Sequence, residues 1–180
     1  SEVASVKPGI YDFERLLSLI GDARLAVVSN HTGSIEGVHI VDSLLSSGIQ
    51  VAKVFAPEHG FRGDRPDGEK IEDGNDRKTG VPVISLYGKN KKPSKESLKD
   101  IDVVLFDIQD VGARFYTYLS SLHYVMQACS EQGIPLIVAD RPNPNIHYID
   151  GPVLEEGFKS FVGLHPVPIV YGMTIGEYAL

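Results

Sequence analysis

Short apolar runs alternate with segments of helical periodicity along most of this chain. Apolar runs of strand length predict β-strands at 24–29, 51–56, 83–87, 103–106 and 135–139. Apolar residues at helical spacing, or a polar residue suited to capping, predict helices at 10–20, 38–47, 94–99 and 115–132. Strands and helices that alternate in this way are typical of an α/β fold, here a Rossmann-like, doubly wound, mainly parallel sheet with helices on both faces.

The strand predicted at 103–106 is apolar at every position, which indicates burial on both faces of a parallel sheet. It ends abruptly in a polar turn that contains Asp107, Gln109, Asp110 and Arg114. In open α/β sheets, ligands bind at the carboxyl ends of the strands. This turn is therefore the first candidate for a functional site.

Other predicted strands also end in polar residues. Asn30 and His31 follow the first strand, Glu58 and His59 follow the second, and Asp140, Arg141 and Asn143 follow the fifth. If the sheet is parallel, all of these strands end at the same edge, and we expect their polar side chains around one crevice. A crevice that combines carboxylates, imidazoles and guanidinium groups pushes pKa values apart, which favours catalysis.

Each candidate also has a structural interpretation, which the sequence leaves open. His31 and His59 would then make hydrogen bonds within their loops, Glu58 would cap the segment after its strand, and Gln109 and Asp110 would bind backbone amides of the turn. Asp107 would form an ion pair with Arg114, and Arg141 with Asp140. Tyr116 and Tyr118 lie two positions apart in the predicted helix, so they cannot share a face. One of the two is expected in the core and the other at the crevice.

Charge and known motifs exclude several classes of function. The net charge of −7 argues against a nucleic-acid partner, because phosphate binding requires clustered Lys and Arg. No apolar run approaches the roughly 20 residues of a membrane-spanning helix. The single cysteine, Cys129, excludes an internal disulfide. The usual dinucleotide, nucleoside triphosphate, zinc-protease and serine-hydrolase motifs are missing from the sequence, so no cofactor and no metal are predicted.

From Ile146 onward, short pieces punctuated by Gly and Pro replace the alternation of strands and helices. Thr174 and Glu177 have the spacing of a helix capping box, yet three residues later the sequence stops. We therefore expect a longer natural protein, in which residues 1–150 form an N-terminal catalytic domain and residues 151–180 begin a C-terminal domain. No signal peptide stands at the start of the sequence.

Five blocks of the sequence together resemble the bacterial family DUF1343. They are Ala-Pro-Glu-His-Gly-Phe-Arg-Gly at 56–63, Ser-Leu-Tyr-Gly at 85–88, the whole stretch 102–118, Asp-Arg-Pro-Asn-Pro at 140–144 and Gly-Pro-Val-Leu at 151–154. Characterised members of this family are exo-β-N-acetylmuramidases that act on peptidoglycan fragments. The resemblance implies a Rossmann-like N-terminal domain, a smaller C-terminal domain and an active site in the cleft between them. It also implies that Glu58 is the leading catalytic carboxylate.

Glycoside cleavage generally needs a carboxylic acid that protonates the leaving oxygen and a second group that acts as base, nucleophile or stabiliser. With Glu58 as the acid, the candidates for the second group are Asp107, Asp110 and Glu177. Three guanidinium groups are expected to bind the lactyl carboxylate of muramic acid, those of Arg62, Arg114 and Arg141. Tyr116 is expected to stack on the sugar ring. The other polar residues at the strand ends are expected to contact the substrate: Asn30, His31, His59, Gln109, Asp140 and Asn143.

The leading hypothesis is therefore a glycoside hydrolase that releases terminal N-acetylmuramic acid from the non-reducing end of peptidoglycan fragments, in the bacterial periplasm or outside the cell. Its expected partners are muropeptides and glycans that contain this sugar, and a C-terminal domain is expected to complete the cleft. One alternative is a non-catalytic binding module for muropeptides. The other is a metal-dependent phosphohydrolase that uses Asp107 and Asp110. Their spacing of three disfavours it, because haloacid-dehalogenase phosphatases, to which this strand has a superficial resemblance, place the two carboxylates two positions apart.

Overall fold

The computed structural model describes residues 6–58, 60–62 and 73–180. Its α-helices are α1 (Phe13–Ile20), α2 (Ile40–Ser46), α3 (Tyr118–Gln132) and α4 (Ile175–Tyr178). Its strands are β1 (Leu25–Ser29), β2 (Ser34–Ile35), β3 (Val38–His39), β4 (Val51–Ala56), β5 (Gly74–Asn75), β6 (Pro82–Ser85), β7 (Val103–Asp107) and β8 (Leu136–Val138). Two 3₁₀ turns lie at Gly9–Tyr11 and Glu156–Phe158.

Six strands form one sheet in the order β5-β6-β4-β1-β7-β8. Among the described residues of this sheet, the neighbouring pairs β6-β4, β4-β1, β1-β7 and β7-β8 are parallel, whereas the short strand β5 pairs antiparallel with β6. Every residue of the central strands β1 and β7 is buried, since helices and loops cover both faces of the sheet. The predicted α/β architecture is therefore confirmed.

The core has two parts, one on each face of the sheet. Phe106 of β7 packs with Leu122 and Val125 of α3 on one face. Leu105, its neighbour in the same strand, packs on the other face with residues of α1 and α2, among them Leu16. Successive side chains of a strand point to opposite faces, so the continuous apolar run of β7 serves both parts of the core.

The predicted start of the third helix near 115 is wrong, because α3 begins at Tyr118. The backbone amide of Arg114 donates to the carbonyl of Ile169, and Ala113 forms a bridge with Val170. Contacts with a distant segment thus hold these residues outside the helix. Tyr116 accordingly precedes α3, and the argument from helical faces does not apply to it.

Two other predicted helices also differ from the structure. Residues 94–99 form turns rather than a helix, since a single short turn with few buried side chains does not support helix formation. The helix predicted at 10–20 is divided at Asp12 into a 3₁₀ turn and α1. The predicted capping box is confirmed: Thr174 Oγ1 accepts from the amide of Glu177, whose carboxylate accepts from the amide of Thr174.

Residues 146–180, here called the C-terminal segment, lie against the carboxyl end of β7 and the side of α3. Asp150 and Val170 form an antiparallel bridge within this segment, and Val170 also bridges Ala113. Phe161 stacks on Tyr124 of α3 with 6.0 Å between ring centroids. Among the helices in the described ranges, none is both long enough and apolar enough to cross a membrane.

Candidate active site

The carboxyl ends of β4, β1, β7 and β8 are neighbours at one edge of the sheet. The register sets Ser29 of β1 beside Asp107 of β7, and the Ser29 hydroxyl donates to the Asp107 carbonyl over 2.8 Å. Phe106 pairs with Val138 of β8. The polar residues that follow these strands are therefore brought together, as the parallel arrangement predicts.

Glu58 stands two residues beyond β4 and is half-buried. Its Oε2 accepts a hydrogen bond from the Thr117 hydroxyl over 3.1 Å. Thr117 is the residue at the N-terminal cap of α3, yet its side chain makes no capping hydrogen bond. A threonine hydroxyl at this position normally accepts from a free backbone amide of the first helical turn. Here it donates to Glu58 instead, which fixes the orientation of this carboxyl group.

Two tyrosines surround Glu58. The charge of Glu58 and a hydrogen bond with it raise the pKa of Tyr87, which follows β6 at the same edge of the sheet. Burial raises the pKa of Tyr118, and the charge of Glu58 raises it further. Both hydroxyl groups therefore stay protonated at neutral pH and can donate hydrogen bonds to an anion or a sugar oxygen.

Asn30 lies fully buried just after β1. Its side-chain oxygen accepts from the amide of Thr32 over 2.9 Å and from the hydroxyl of Thr32 over 2.5 Å. Its amide nitrogen lies near the hydroxyl of Tyr118 without making a hydrogen bond. Within the described parts of the chain, this nitrogen and Oδ1 of Asp110 are the two buried side-chain polar atoms that lack a partner. Both belong to this edge of the sheet.

Asp110 is 4% exposed, and burial raises its pKa to about 6. Its Oδ2 accepts from the amide of Gly112 over 2.8 Å and from the hydroxyl of Tyr171. The carboxyl is ionised at neutral pH, although its pKa is well above that of an ordinary aspartate. Carboxyl groups with such a shifted pKa are frequent at functional sites. Asp110 lies beneath the surface, however, and does not itself line the crevice.

Asp107 forms a buried ion pair with Arg141. The guanidinium donates through Nε over 2.6 Å and through a terminal nitrogen over 3.1 Å, and the Asp107 side chain is 0% exposed. Burial raises the pKa of Asp107, and Arg141 opposes this effect. The suggested pairs of Asp107 with Arg114 and of Arg141 with Asp140 are therefore wrong, because the carboxyl ends of β7 and β8 bring Asp107 and Arg141 together.

The other two arginines proposed for substrate binding are also engaged with the protein. Arg62 donates to both Asp42 of α2 and Asp76, and these carboxylates raise its pKa. Arg114 donates to the carbonyls of Pro152 and Val167 in the C-terminal segment. Each guanidinium therefore holds a loop in place in this structure, and substrate binding by these groups stays a prediction.

Three further residues at this edge bind other parts of the chain. Gln109 donates to the carbonyls of Asp110 and Pro142. Asp140 accepts from the hydroxyl of Thr174 and the amide of Gly176, at the start of α4. Asn143 donates to the carbonyl of Met173 over 2.7 Å. These contacts link the sheet edge to the C-terminal segment.

A metal site is not evident in this arrangement. Across the described ranges, no three His, Cys, Asp or Glu side chains lie close enough together to hold a metal ion. The described residues at the edge offer a half-buried carboxyl beside tyrosine hydroxyls, with a second carboxyl buried below. This combination suits general acid–base work on a neutral or anionic ligand.

Comparison with known proteins assigns the chain to a family. Residues 25–180 match the family described as "Exo-beta-N-acetylmuramidase NamZ, N-terminal". The chain belongs to this family. It is 55% identical over 132 residues to "Peptidoglycan beta-N-acetylmuramidase NamZ" of Bacillus subtilis (strain 168), an alignment that covers 73% of this chain and 32% of that protein.

Solved structures of DUF1343 proteins from Bacteroides fragilis NCTC 9343 share the fold. One is 44% identical with a TM-score of 0.85, and the matched region covers 96% of this chain and 45% of that one. Another is 40% identical with a TM-score of 0.88, over 96% of this chain and 44% of that one. The resemblance to DUF1343 is thereby confirmed. The chain spans less than half the length of each of these three relatives.

In this member of the NamZ family, the remaining predicted residues lie at the rim of the site or outside the described part of the chain. His31 is exposed just after Asn30, and Tyr116 is 43% exposed beside Tyr118. Tyr118 is the buried member of this pair and packs in the core, as expected for one of the two tyrosines, whereas the placement of Tyr116 at the crevice stays a prediction. His59 lies outside the described residues.

The sequence interpretation missed Tyr87, Thr117 and Tyr171. Tyr87 had a usable signal, because it follows another predicted strand and parallel strands end at one edge. Thr117 directly precedes the start of α3, but nothing in the local pattern indicates that its hydroxyl turns to Glu58. Tyr171 comes from an irregular segment, and no sequence rule connects it to Asp110.

Proposed function

We propose that the full-length protein is an exo-β-N-acetylmuramidase that releases terminal N-acetylmuramic acid from the non-reducing end of peptidoglycan fragments. The observation that carries this proposal is the placement of Glu58, half-buried beside Thr117 and two tyrosines, in a chain that is 55% identical to the peptidoglycan β-N-acetylmuramidase of B. subtilis. A substrate of this kind lies in the cell wall, so we also propose that the protein acts in the periplasm or outside the cell.

In the proposed reaction, Glu58 donates a proton to the glycosidic oxygen as its bond to the anomeric carbon breaks. A water molecule adds its oxygen to that carbon and gives up one proton, which leaves Glu58 protonated again at the end of the cycle. Glu58 suits the role of proton donor because its carboxyl is half-buried, whereas Asp107 and Asp110 are buried and the carboxylate of Asp140 accepts from Thr174 and Gly176. Tyr87 and Tyr118 supply hydroxyl donors next to it.

Asp110 is the better candidate for the second acidic group of the site. Asp107 is neutralised by its ion pair with Arg141, while no Lys or Arg of the described residues pairs with Asp110. A negative charge below the site would stabilise the positive charge that develops on the sugar in the transition state. Glu177 is less suited to this role, because its carboxylate completes the capping box of α4.

Hydrolysis of a chromogenic β-N-acetylmuraminide by the full-length protein tests the proposal. The Glu58→Gln variant should lose at least about 100-fold in kcat, since the amide cannot supply the proton. Glu131→Gln is a matched control, because Glu131 pairs with Lys92 on the outer surface of α3, and its activity should equal that of the parent.

Three results would contradict the proposal. Unchanged turnover by Glu58→Gln would remove Glu58 from the mechanism. Tight muropeptide binding by the parent protein without any release of the sugar would favour a binding module. Inactivation by a chelator, restored by a divalent metal, would instead favour a metal-dependent hydrolase.

A further inference from the structure

The two oxygens of the Asp110 carboxyl group have different surroundings. Oδ2 accepts two hydrogen bonds, one from the amide of Gly112 and one from the hydroxyl of Tyr171. Within the described residues, Oδ1 is buried and makes no hydrogen bond of normal geometry, while the backbone amide of Val111 lies close enough to the carboxyl group to lower its pKa. Both side chains of the pair are nearly inaccessible, since Asp110 is 4% and Tyr171 is 3% exposed. A buried carboxyl oxygen without a partner is rare and calls for a functional explanation.

The titratable groups that face Asp110 come from two elements. Tyr118 belongs to α3, whereas Tyr171 and Tyr178 belong to the C-terminal segment. The charge of Asp110 contributes to the raised pKa of both Tyr118 and Tyr178, although burial is the larger cause in each case. Glu58 also acts on Tyr118, so the two carboxyl groups influence the same hydroxyl.

Tyr171 reaches Asp110 because the C-terminal segment is fastened to the sheet edge. Arg114 holds the carbonyls of Pro152 and Val167, and Val170 bridges Ala113 immediately before Tyr171. Docking of this segment therefore places the hydroxyl of Tyr171 beside Asp110. If the segment were displaced, Oδ2 of Asp110 would lose one of its two donors.

We propose that Tyr171 is a positioning residue, which holds Oδ2 of Asp110 so that Oδ1 takes up the proton, and that docking of the C-terminal segment thereby sets the protonation of the site. The proposal rests on the proposed function only for its effect on catalysis. A donor hydrogen bond favours the ionised carboxylate, so removing the Tyr171 hydroxyl should make Asp110 harder to ionise.

The direct test is a titration of Asp110 in the full-length protein by NMR, with ¹³C-labelled aspartate and no substrate. The parent protein should show a midpoint above that of an ordinary aspartate, because the carboxyl is buried. In Tyr171→Phe the midpoint should rise by about one pH unit, the size expected for loss of one hydrogen bond to a charged group. Tyr178→Phe is the matched control, because its hydroxyl bonds His165 in the same segment, and its Asp110 midpoint should stay that of the parent.

A second measurement avoids any loss of folding in Tyr171→Phe. The ring carbon that carries the Tyr171 hydroxyl, observed with ¹³C-labelled tyrosine, should follow the titration of Asp110 in the parent. The same signal should be flat near pH 6 in Asp110→Asn. The proposal would be overturned if the Asp110 midpoint were equal in the parent and in Tyr171→Phe. It would also be overturned if the chemical shift of Tyr171 in the parent did not change with pH.

The effect on catalysis is measured separately. If the ionised form of Asp110 supports hydrolysis, the acidic limb of kcat/KM should move to higher pH in Tyr171→Phe, by the same amount as the NMR midpoint. A limb that stays in place while the midpoint moves would overturn the link to catalysis. A parent protein that hydrolyses no muraminide would refute the proposed function, yet the titration would still decide the role of Tyr171.

Discussion

The buried pair of Asp107 and Arg141 predicts a large and pH-dependent loss of stability when the cation is removed. Two hydrogen bonds, of 2.6 and 3.1 Å, join the groups, and their side chains are 0% and 6% exposed. In Arg141→Met the Asp107 carboxylate stays buried without its partner. Such a change costs about 3–5 kcal/mol of unfolding free energy, or roughly 10 °C in melting temperature for a domain of this size.

The pH dependence follows from the direction of the pKa shift. Burial already raises the pKa of Asp107, and Arg141 is the group that lowers it, so the variant should raise it further. A carboxyl whose pKa is higher in the folded state binds its proton more tightly there. The folded state therefore loses stability as the pH rises from the pKa of the unfolded state to the pKa of the folded state. The loss in Arg141→Met should accordingly be larger at pH 7 than at pH 5.

Urea denaturation of the full-length variant and parent at both pH values measures this effect. Lys92→Met is the matched control, because its exposed pair with Glu131 should contribute less than about 1 kcal/mol. Replacing both partners, as in Asp107→Leu with Arg141→Met, should recover much of the loss. An Arg141→Met variant that loses no more than Lys92→Met, or loses equally at both pH values, would refute this reasoning.

Two further predictions concern the turn that follows β7 and the start of α3. Gly112 has a φ of +76°, and a Cβ there would lie 2.1 Å from Oδ1 of Asn143, so Gly112→Ala should lower the unfolding free energy by more than about 2 kcal/mol in urea denaturation. Wild-type stability in this variant would contradict the geometry. Thr117→Val should reduce kcat about tenfold, because Glu58 loses its donor, while the melting temperature hardly changes, since Thr117 makes no capping bond. Thr174→Val, which removes a real cap, should show the opposite pattern, with a lower melting temperature and normal kcat.

The architecture could be predicted because it depends on local patterns. The apolar run at 103–106 becomes a strand buried on both faces, and neighbouring parallel strands end at one edge by geometry alone. The strand ends alone therefore predict that Glu58 and Asp110 lie at this edge of the sheet, as they do in the structure. Tyr87 could have been placed there by the same rule.

The partners of charged groups were not predictable in the same way. The sequence suggested Arg114 for Asp107, because the two are close along the chain, whereas the structure pairs Asp107 with Arg141 across two parallel strands. Arg62 meets Asp42 and Asp76, which lie far from it in sequence or beyond a long loop. Such pairings depend on which strand ends become neighbours, and hydrophobic periodicity carries no information about this.

The sequence by itself determined the α/β class, the strands that carry the site and the family to which the chain belongs, since these follow from periodicity and from contiguous motifs. Tertiary structure alone decided which groups are reachable: Glu58 at the surface of the edge, Asp107 neutralised in an ion pair, and Asp110 held from below by Tyr171. Burial and ion pairing arise from residues distant in the chain, and these interactions set the charge and the access of each carboxyl group.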